Sequence, residues 1–92
     1  MFSEDRLEEQ IMPTRIRCKT VMEGPGPSEK IVAIAVHGGG EEEVILSKDL
    51  VRNDTIEVGK VGSSNGSILI ELPQETVSGS WRLWVDAGTL VA

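Results

Sequence analysis

Residues 14–22 alternate between two sets of side chains. One parity carries Ile16, Cys18, Thr20 and Met22, and the other carries Arg15, Arg17, Lys19 and Val21. Successive side chains of a strand point to opposite faces, so this alternation predicts a half-buried β-strand. Residues 31–37, IVAIAVH, are instead apolar at nearly every position and rich in β-branched side chains. They predict a central strand that is covered on both sides.

Turn-forming residues separate the remaining extended segments. The prolines and glycines of residues 23–30 predict a surface loop. The three glycines 38–40 predict a reversal that pairs 31–37 with 43–47 as a hairpin. A second hairpin is predicted to join residues 55–61 to residues 67–72 through GSSNG (62–66), and Pro73 ends its outgoing strand. Two further extended segments follow, WRLWV (81–85) and TLVA (89–92).

Strong turns at short intervals, with no convincing helix after residue 12, indicate an all-β fold. We expect a small antiparallel barrel or open sandwich of five to seven strands. Its short meander looks similar to SH3-like barrels, with an OB-like barrel as the alternative, and this similarity concerns architecture alone. Residues 14–92 are expected to form a single domain. Residues 1–13 are expected to be an acidic tail, either disordered or a short helix, in which Met12 is a candidate alternative start.

Charge and length limit the classes of function. A chain of 92 residues has room for one modest core. Its net charge is −6, and residues 1–12, with four acidic side chains and one basic, account for half of it. The body is therefore only mildly acidic, which gives no overall field that would attract nucleic acid or an anionic membrane. No segment has the length of a membrane span or the pattern of a signal peptide. Cys18 is the single cysteine, so no disulfide can form within the chain, which suits a reducing compartment. We therefore expect a soluble cytoplasmic protein.

Two short segments resemble esterase motifs. Residues 36–40, VHGGG, look like an oxyanion loop, and GSSNG fits the G-x-S-x-G nucleophile elbow. That elbow requires a strand before it and a helix after it, whereas a strand is predicted after GSSNG. His37 is the single histidine, and it precedes the serines instead of following them. Both segments are therefore interpreted as hairpin turns, and no enzymatic activity and no cofactor are predicted.

The histidine, the neighbouring glutamates and the cysteine are interpreted as structural or solvent-exposed residues. His37 and the glutamates 41–43 could be imagined as metal ligands, but consecutive strand residues point to opposite faces, so the three carboxylates cannot all converge. A solvated charge run is the favoured interpretation, and no metal site is predicted. Cys18 shares the parity of Ile16 and is expected to be a buried structural thiol.

The strand WRLWV carries the leading functional hypothesis. Trp81, Leu83 and Val85 form an apolar set and are expected to face the core, which turns Arg82 and Trp84 outward. An exposed tryptophan beside an arginine can anchor a partner, although Trp84 could equally be covered by the N-terminal segment or a loop. The hypothesis is a non-enzymatic interaction module that binds a protein partner or forms a homo-oligomer; no small-molecule substrate is identified.

The alternative hypothesis is a nucleic-acid-binding barrel. Arg15, Arg17 and Lys19 share one face of the first predicted strand at intervals of about 7 Å, and with Trp84 they could hold a single-stranded backbone. The same row could instead protect an edge strand from aggregation, with glutamates 41–43 neutralising it across the sheet. The defensive interpretation is favoured.

Overall fold

The computed structural model describes residues 12–91, which form an open sandwich of two antiparallel sheets. The nine strands are β1 (Met12–Arg17), β2 (Lys19–Glu23), β3 (Glu29–Ala35), β4 (Glu41–Ser47), β5 (Val51–Arg52), β6 (Thr55–Ser64), β7 (Ser67–Glu71), β8 (Arg82–Asp86) and β9 (Leu90–Val91). Two 3-10 turns, Lys48–Leu50 and Ala87–Thr89, complete the described elements. The predicted all-β class is confirmed, and the open sandwich is formed in place of a closed barrel. This part of the chain contains no helix long and apolar enough to cross a membrane.

The larger sheet has six strands in the order β8-β7-β6-β1-β9, with β5 pairing to β6 beside this path. The smaller sheet has the order β2-β3-β4. The two predicted hairpins are confirmed, because β3 pairs with β4 and β6 pairs with β7. The second hairpin turns at Asn65 and Gly66, both with positive φ, as a two-residue hairpin loop requires.

The predicted first strand is divided. β1 pairs with β6 up to Arg17, and β2 pairs with β3 from Lys19, so the chain passes from one sheet to the other at Cys18. The Cys18 amide donates to the carbonyl oxygen of Asp54 at 2.9 Å, which continues the β1–β6 register by one residue before the chain changes sheets. A strand that changes sheets in this way forms one corner of a sandwich. The expectation of one continuous half-buried strand over 14–22 was therefore wrong, and all of β2 is exposed.

The core lies between the two sheets. Both sheets supply fully buried side chains: Ile16, Ile56, Ile70 and Val85 from the larger one, and Val32, Ile34, Val44 and Leu46 from the smaller one. β3 is central in its sheet, as predicted, but its second face is only partly covered, since Ala33 is buried while Ala35 is exposed. β1 begins at Met12, so the last two residues assigned to the tail belong to a strand. The remainder of the expected tail, 1–11, lies outside the described residues.

Candidate functional site

β8 presents Trp84 on the outer face of the larger sheet. The strand alternates between buried and exposed positions, with Leu83 and Val85 in the core and Trp84 43% exposed. Trp81 was expected to share the core face, and that expectation was wrong. It is 50% exposed and lies at a bend directly before β8, although its carbonyl oxygen still accepts a 2.8 Å hydrogen bond from the Leu72 amide. Two tryptophans are thus exposed within four residues of each other.

Trp84 belongs to an apolar row across the outer face. Its register partner on β7 is Leu69, which in turn lies opposite Gly62 on β6. Leu69 is partly buried although it points away from the core. A glycine at the end of the row leaves no side chain there, so the row is shallow and open. We call Trp84, Leu69 and Gly62 the tryptophan row.

Hydrogen-bonded polar pairs flank the tryptophan row on both sides. On one side Arg82 Nη2 donates to Glu71 Oε1 at 3.2 Å. On the other side His37 Nδ1 lies 2.6 Å from Asp86 Oδ1, and the His37 amide donates to the Trp84 carbonyl oxygen at 2.8 Å. The turn of residues 37–40 is therefore tied to the edge strand of the other sheet, and the side chains around Trp84 are held by bonds within the chain.

The three candidate cations of the N-terminal segment do not form one row. Arg15 and Arg17 lie on the outer face of β1, whereas Lys19 lies on β2, with its Nζ 3.8 Å from Glu41 Oε2. Arg15 is also separated from Trp84 by strands β6 and β7, which is on the order of 14 Å across the sheet. The arrangement that combines Arg15, Arg17 and Lys19 with Trp84 is therefore not brought together at one place.

Arg15 and Arg17 instead share a cleft with Arg52. This arginine cleft has a volume of roughly 580 Å³ and lies between β1 and the short β5–β6 hairpin. Arg15 Nε donates to Thr55 Oγ1 at 2.9 Å, and its Nη2 donates to the Thr55 carbonyl oxygen at 3.1 Å. Arg17 Nη1 donates to the carbonyl oxygen of Gly88. The chain thus fixes two of the three guanidinium groups at the rim of one cavity.

Arg52 was missed by the sequence interpretation. β5 is only two residues long, so it leaves no alternation to recognise. The signal that could have found it is the pair Asn53 and Asp54, two residues that tolerate positive φ; their φ angles are 51° and 59°. This turn reverses the chain directly after Arg52 and places it opposite Thr55.

Cys18 lies on the lining of the same cleft and is half-buried. Desolvation by burial raises the pKa of its thiol above the ordinary value, and the neighbouring Asp54 carboxylate raises it further. Arg15 and Lys30 oppose that rise. A raised pKa keeps the thiol protonated at neutral pH and makes it a poor nucleophile.

The two glycine-rich segments meet at one end of the sandwich. His37, Ser64, Asn65 and Trp84 line a shallow cavity of roughly 300 Å³ there. His37 and Asp86 are paired through Nδ1, as in a hydrolase triad, but within residues 12–91 no serine is hydrogen-bonded to the histidine. The Ser67 hydroxyl, also on this cavity, donates to the carbonyl oxygen of Ser64. Residues 37–39 form a turn, whereas Gly62 to Ser64 complete β6 and the second turn is confined to Asn65 and Gly66. A strand follows GSSNG instead of the helix of a nucleophile elbow.

The glutamates 41–43 diverge. Glu41 lies beside Lys19, and Glu42 Oε1 accepts a 2.6 Å hydrogen bond from the Ser78 hydroxyl. Over the described range, no three histidine, cysteine or acidic side chains are grouped closely enough to hold a metal ion.

The geometry therefore offers two surfaces, the tryptophan row and the arginine cleft. Known proteins add no guidance, because no family model, no curated protein and no solved structure matches this chain.

Proposed function

We propose that this chain is a small non-enzymatic interaction module that binds a protein partner, or a second copy of itself, through the tryptophan row. The observation that carries the proposal is the 43% exposure of Trp84 on the outer strand β8 of the larger sheet. Tryptophan is enriched among the residues that dominate binding energy at protein interfaces. Its indole ring combines a large apolar area with a hydrogen-bond donor, so it can fill a pocket on a partner.

The surroundings of Trp84 have the composition of an interface. Leu69 extends the apolar area at the centre, while the Arg82–Glu71 and His37–Asp86 pairs form a polar rim. A central apolar patch with a polar rim is the usual arrangement of specific protein interfaces. Because the rim side chains are already held by bonds within the chain, less conformational entropy is lost when a partner binds.

The position on an edge strand adds a second means of recognition. β8 pairs with β7 along one edge. Along its other edge, among the described residues, the His37 amide donates to the Trp84 carbonyl oxygen. The outward backbone groups of Arg82 remain for an extended segment of a partner, which could add to the sheet as a further strand. A partner of this kind would contact Trp84 and the edge at the same time. An SH3-like meander and a cytoplasmic location remain parts of the proposal.

The nucleic-acid alternative has less support. It requires aromatic stacking beside a row of cations, whereas Lys19 is paired with Glu41 and Trp84 is separated from Arg15 by two strands. It predicts binding that weakens steeply with salt, because each phosphate contact releases counterions.

The experiment compares the full chain with Trp84→Ala and with the matched control Met22→Ala, which removes an exposed apolar side chain from the smaller sheet. Light scattering over a concentration series measures self-association, and pull-down from host lysate with and without nuclease measures partner capture. We expect Trp84→Ala to lose the association or the captured proteins, and Met22→Ala to retain them. If both variants behave as the unsubstituted chain, the proposal fails. If captured proteins disappear on nuclease treatment, the nucleic-acid alternative replaces it.

A further inference from the structure

We propose that the arginine cleft binds a terminal phosphate group of a small phosphorylated molecule. This inference does not rest on the proposed protein interface, which lies elsewhere on the larger sheet. It starts from the convergence of Arg15, Arg17 and Arg52 on one cavity of roughly 580 Å³. The two β1 arginines and Arg52 come from different strands, so the fold brings them together.

The charge of the cleft opposes that of the whole chain. Three guanidinium groups and one carboxylate, that of Asp54, line it, while the chain carries a net charge of −6. A concentrated positive site on an acidic protein attracts an anion locally although the overall field does not. Among the described residues that line the cleft, Asp54 is the one whose charge repels an anion.

Most donors of the arginines remain for a ligand. A guanidinium has five N–H donors. Arg15 uses its Nε and one Nη on Thr55, and Arg17 uses one Nη on Gly88. Within the part of the chain that the structure describes, the Arg52 side chain makes no hydrogen bond or ion pair. The cleft therefore offers several oriented N–H groups from at least two fixed side chains.

The walls of the cleft are held together by the backbone. The Cys18 amide donates to the Asp54 carbonyl oxygen at 2.9 Å, which ties the Asn53–Asp54 turn to the end of β1. The Thr55 hydroxyl donates to the Arg52 carbonyl oxygen at 2.7 Å and closes the same turn. The backbone walls of the cleft and the guanidinium groups of Arg15 and Arg17 are therefore held in place before an anion binds.

The class of ligand follows from charge and shape. Planar guanidinium groups bind phosphate oxygens with two parallel hydrogen bonds, which makes arginine well suited to phosphate recognition. A terminal phosphate carries about −1.5 to −2 at neutral pH, which matches the excess of positive charge in the cleft. A nucleic-acid backbone instead spreads single charges along its length and favours a track of cations over a compact cluster.

The test is a calorimetric titration of the full chain with inorganic phosphate and with phenyl phosphate at low ionic strength. Arg52→Gln removes a side chain that makes no hydrogen bond or ion pair within residues 12–91, and Arg82→Gln is the matched control, an arginine on the distant strand β8. We expect Arg52→Gln to weaken phosphate binding about tenfold or more, Arg82→Gln to leave it within about twofold, and Asp54→Asn to strengthen it. Thermal melts verify that each variant is folded, and Arg17→Gln replaces Arg52→Gln if that variant is not.

Several results would overturn the proposal. They are the absence of phosphate binding, an equal loss in Arg52→Gln and Arg82→Gln, and binding of acetate as tight as that of phosphate. A single-stranded oligonucleotide without a terminal phosphate, bound more tightly than phenyl phosphate and lost in Arg52→Gln, would assign the cleft to a nucleic-acid backbone instead.

Discussion

Cys18 and Asp54 are joined by a backbone hydrogen bond of 2.9 Å at the point where the chain leaves the larger sheet for the smaller one. The bond anchors the Asn53–Asp54 turn and brings the Asp54 carboxylate near the Cys18 thiol. This contact thus lies at the corner of the sandwich and on the wall of the arginine cleft, and it places Asp54 where its charge adds to the effect of burial on the pKa of the Cys18 thiol.

The first prediction concerns the reactivity of Cys18. Because the thiolate is the nucleophile, and because burial and Asp54 raise the pKa of the thiol, the native chain should react with iodoacetamide more slowly at pH 8 than the urea-unfolded chain. Asp54→Asn should increase the native rate, whereas Asp49→Asn, on the exposed 3-10 turn, should not. The measurement is the alkylation rate against pH. A native profile centred below the unfolded one would contradict the raised pKa.

The same shift predicts how stability depends on pH. The folded-state pKa of Cys18 lies above the unfolded-state value, so the folded chain binds more protons between the two values. The contribution to stability is complete below the unfolded pKa and is lost as pH rises through the folded pKa. Urea denaturation across the alkaline range should show this decline in the unsubstituted chain and a smaller one in Cys18→Ala. Equal declines in both chains would show that other groups cause it.

The sequence predicted the fold class and both hairpins, because alternation and turn chemistry are local properties. It did not predict the change of sheet at Cys18. A strand that passes from one sheet to another stays extended, so the alternation continues through the corner and the break leaves no mark in the pattern. The position of Lys19 on the smaller sheet beside Glu41, instead of on β1 with Arg15 and Arg17, follows from that break.

The candidate site was predictable in part for the same reason. Trp84 lies where alternation puts it, but Trp81 lies at a bend directly before β8, and the alternation within the strand does not extend to its side chain. Arg52 belongs to a two-residue strand, which is too short for a periodic signal. The arginine cleft depends on which strands are neighbours, and a single sequence does not specify that order.

The second prediction tests whether the two sheets share one core. Ile16 lies opposite Ile56 in the larger sheet and Ile34 belongs to the smaller one, and all three are fully buried. Ile16→Ala and Ile34→Ala should each lower the free energy of unfolding by about 2–5 kcal/mol. Val21→Ala, on the exposed strand β2, should change it by less than about 0.5 kcal/mol. Chemical denaturation measures all three, and tolerance of Ile34→Ala would mean that the smaller sheet contributes little to the core.

The third prediction concerns the turn that carries His37. Gly39 has φ +111°, a conformation that side-chain-bearing residues rarely adopt. Gly39→Ala should therefore lower the free energy of unfolding by about 1–3 kcal/mol. Gly88→Ala is the control, since its φ lies outside this region and its added Cβ meets no atom within 4 Å. Equal thermal melts for the two variants would mean that this turn relaxes without cost.

The fourth prediction separates the two tryptophans. Both are about half exposed, so acrylamide should quench the fluorescence of Trp81→Phe and of Trp84→Phe, each of which retains one tryptophan, to a similar extent in dilute solution. Protection of either tryptophan at low concentration would contradict the exposure of both side chains.

Raising the protein concentration, or adding a captured partner, should then change only one of the two signals. If the tryptophan row is the interface, quenching of Trp84 in the Trp81→Phe variant should fall on association, because a partner excludes water and quencher from the buried centre of the contact. Quenching of Trp81 in the Trp84→Phe variant should stay unchanged, since that variant lacks the anchor and should not associate. Protection of Trp81 in the absence of the Trp84 indole would place the interface at the start of β8 and away from the tryptophan row.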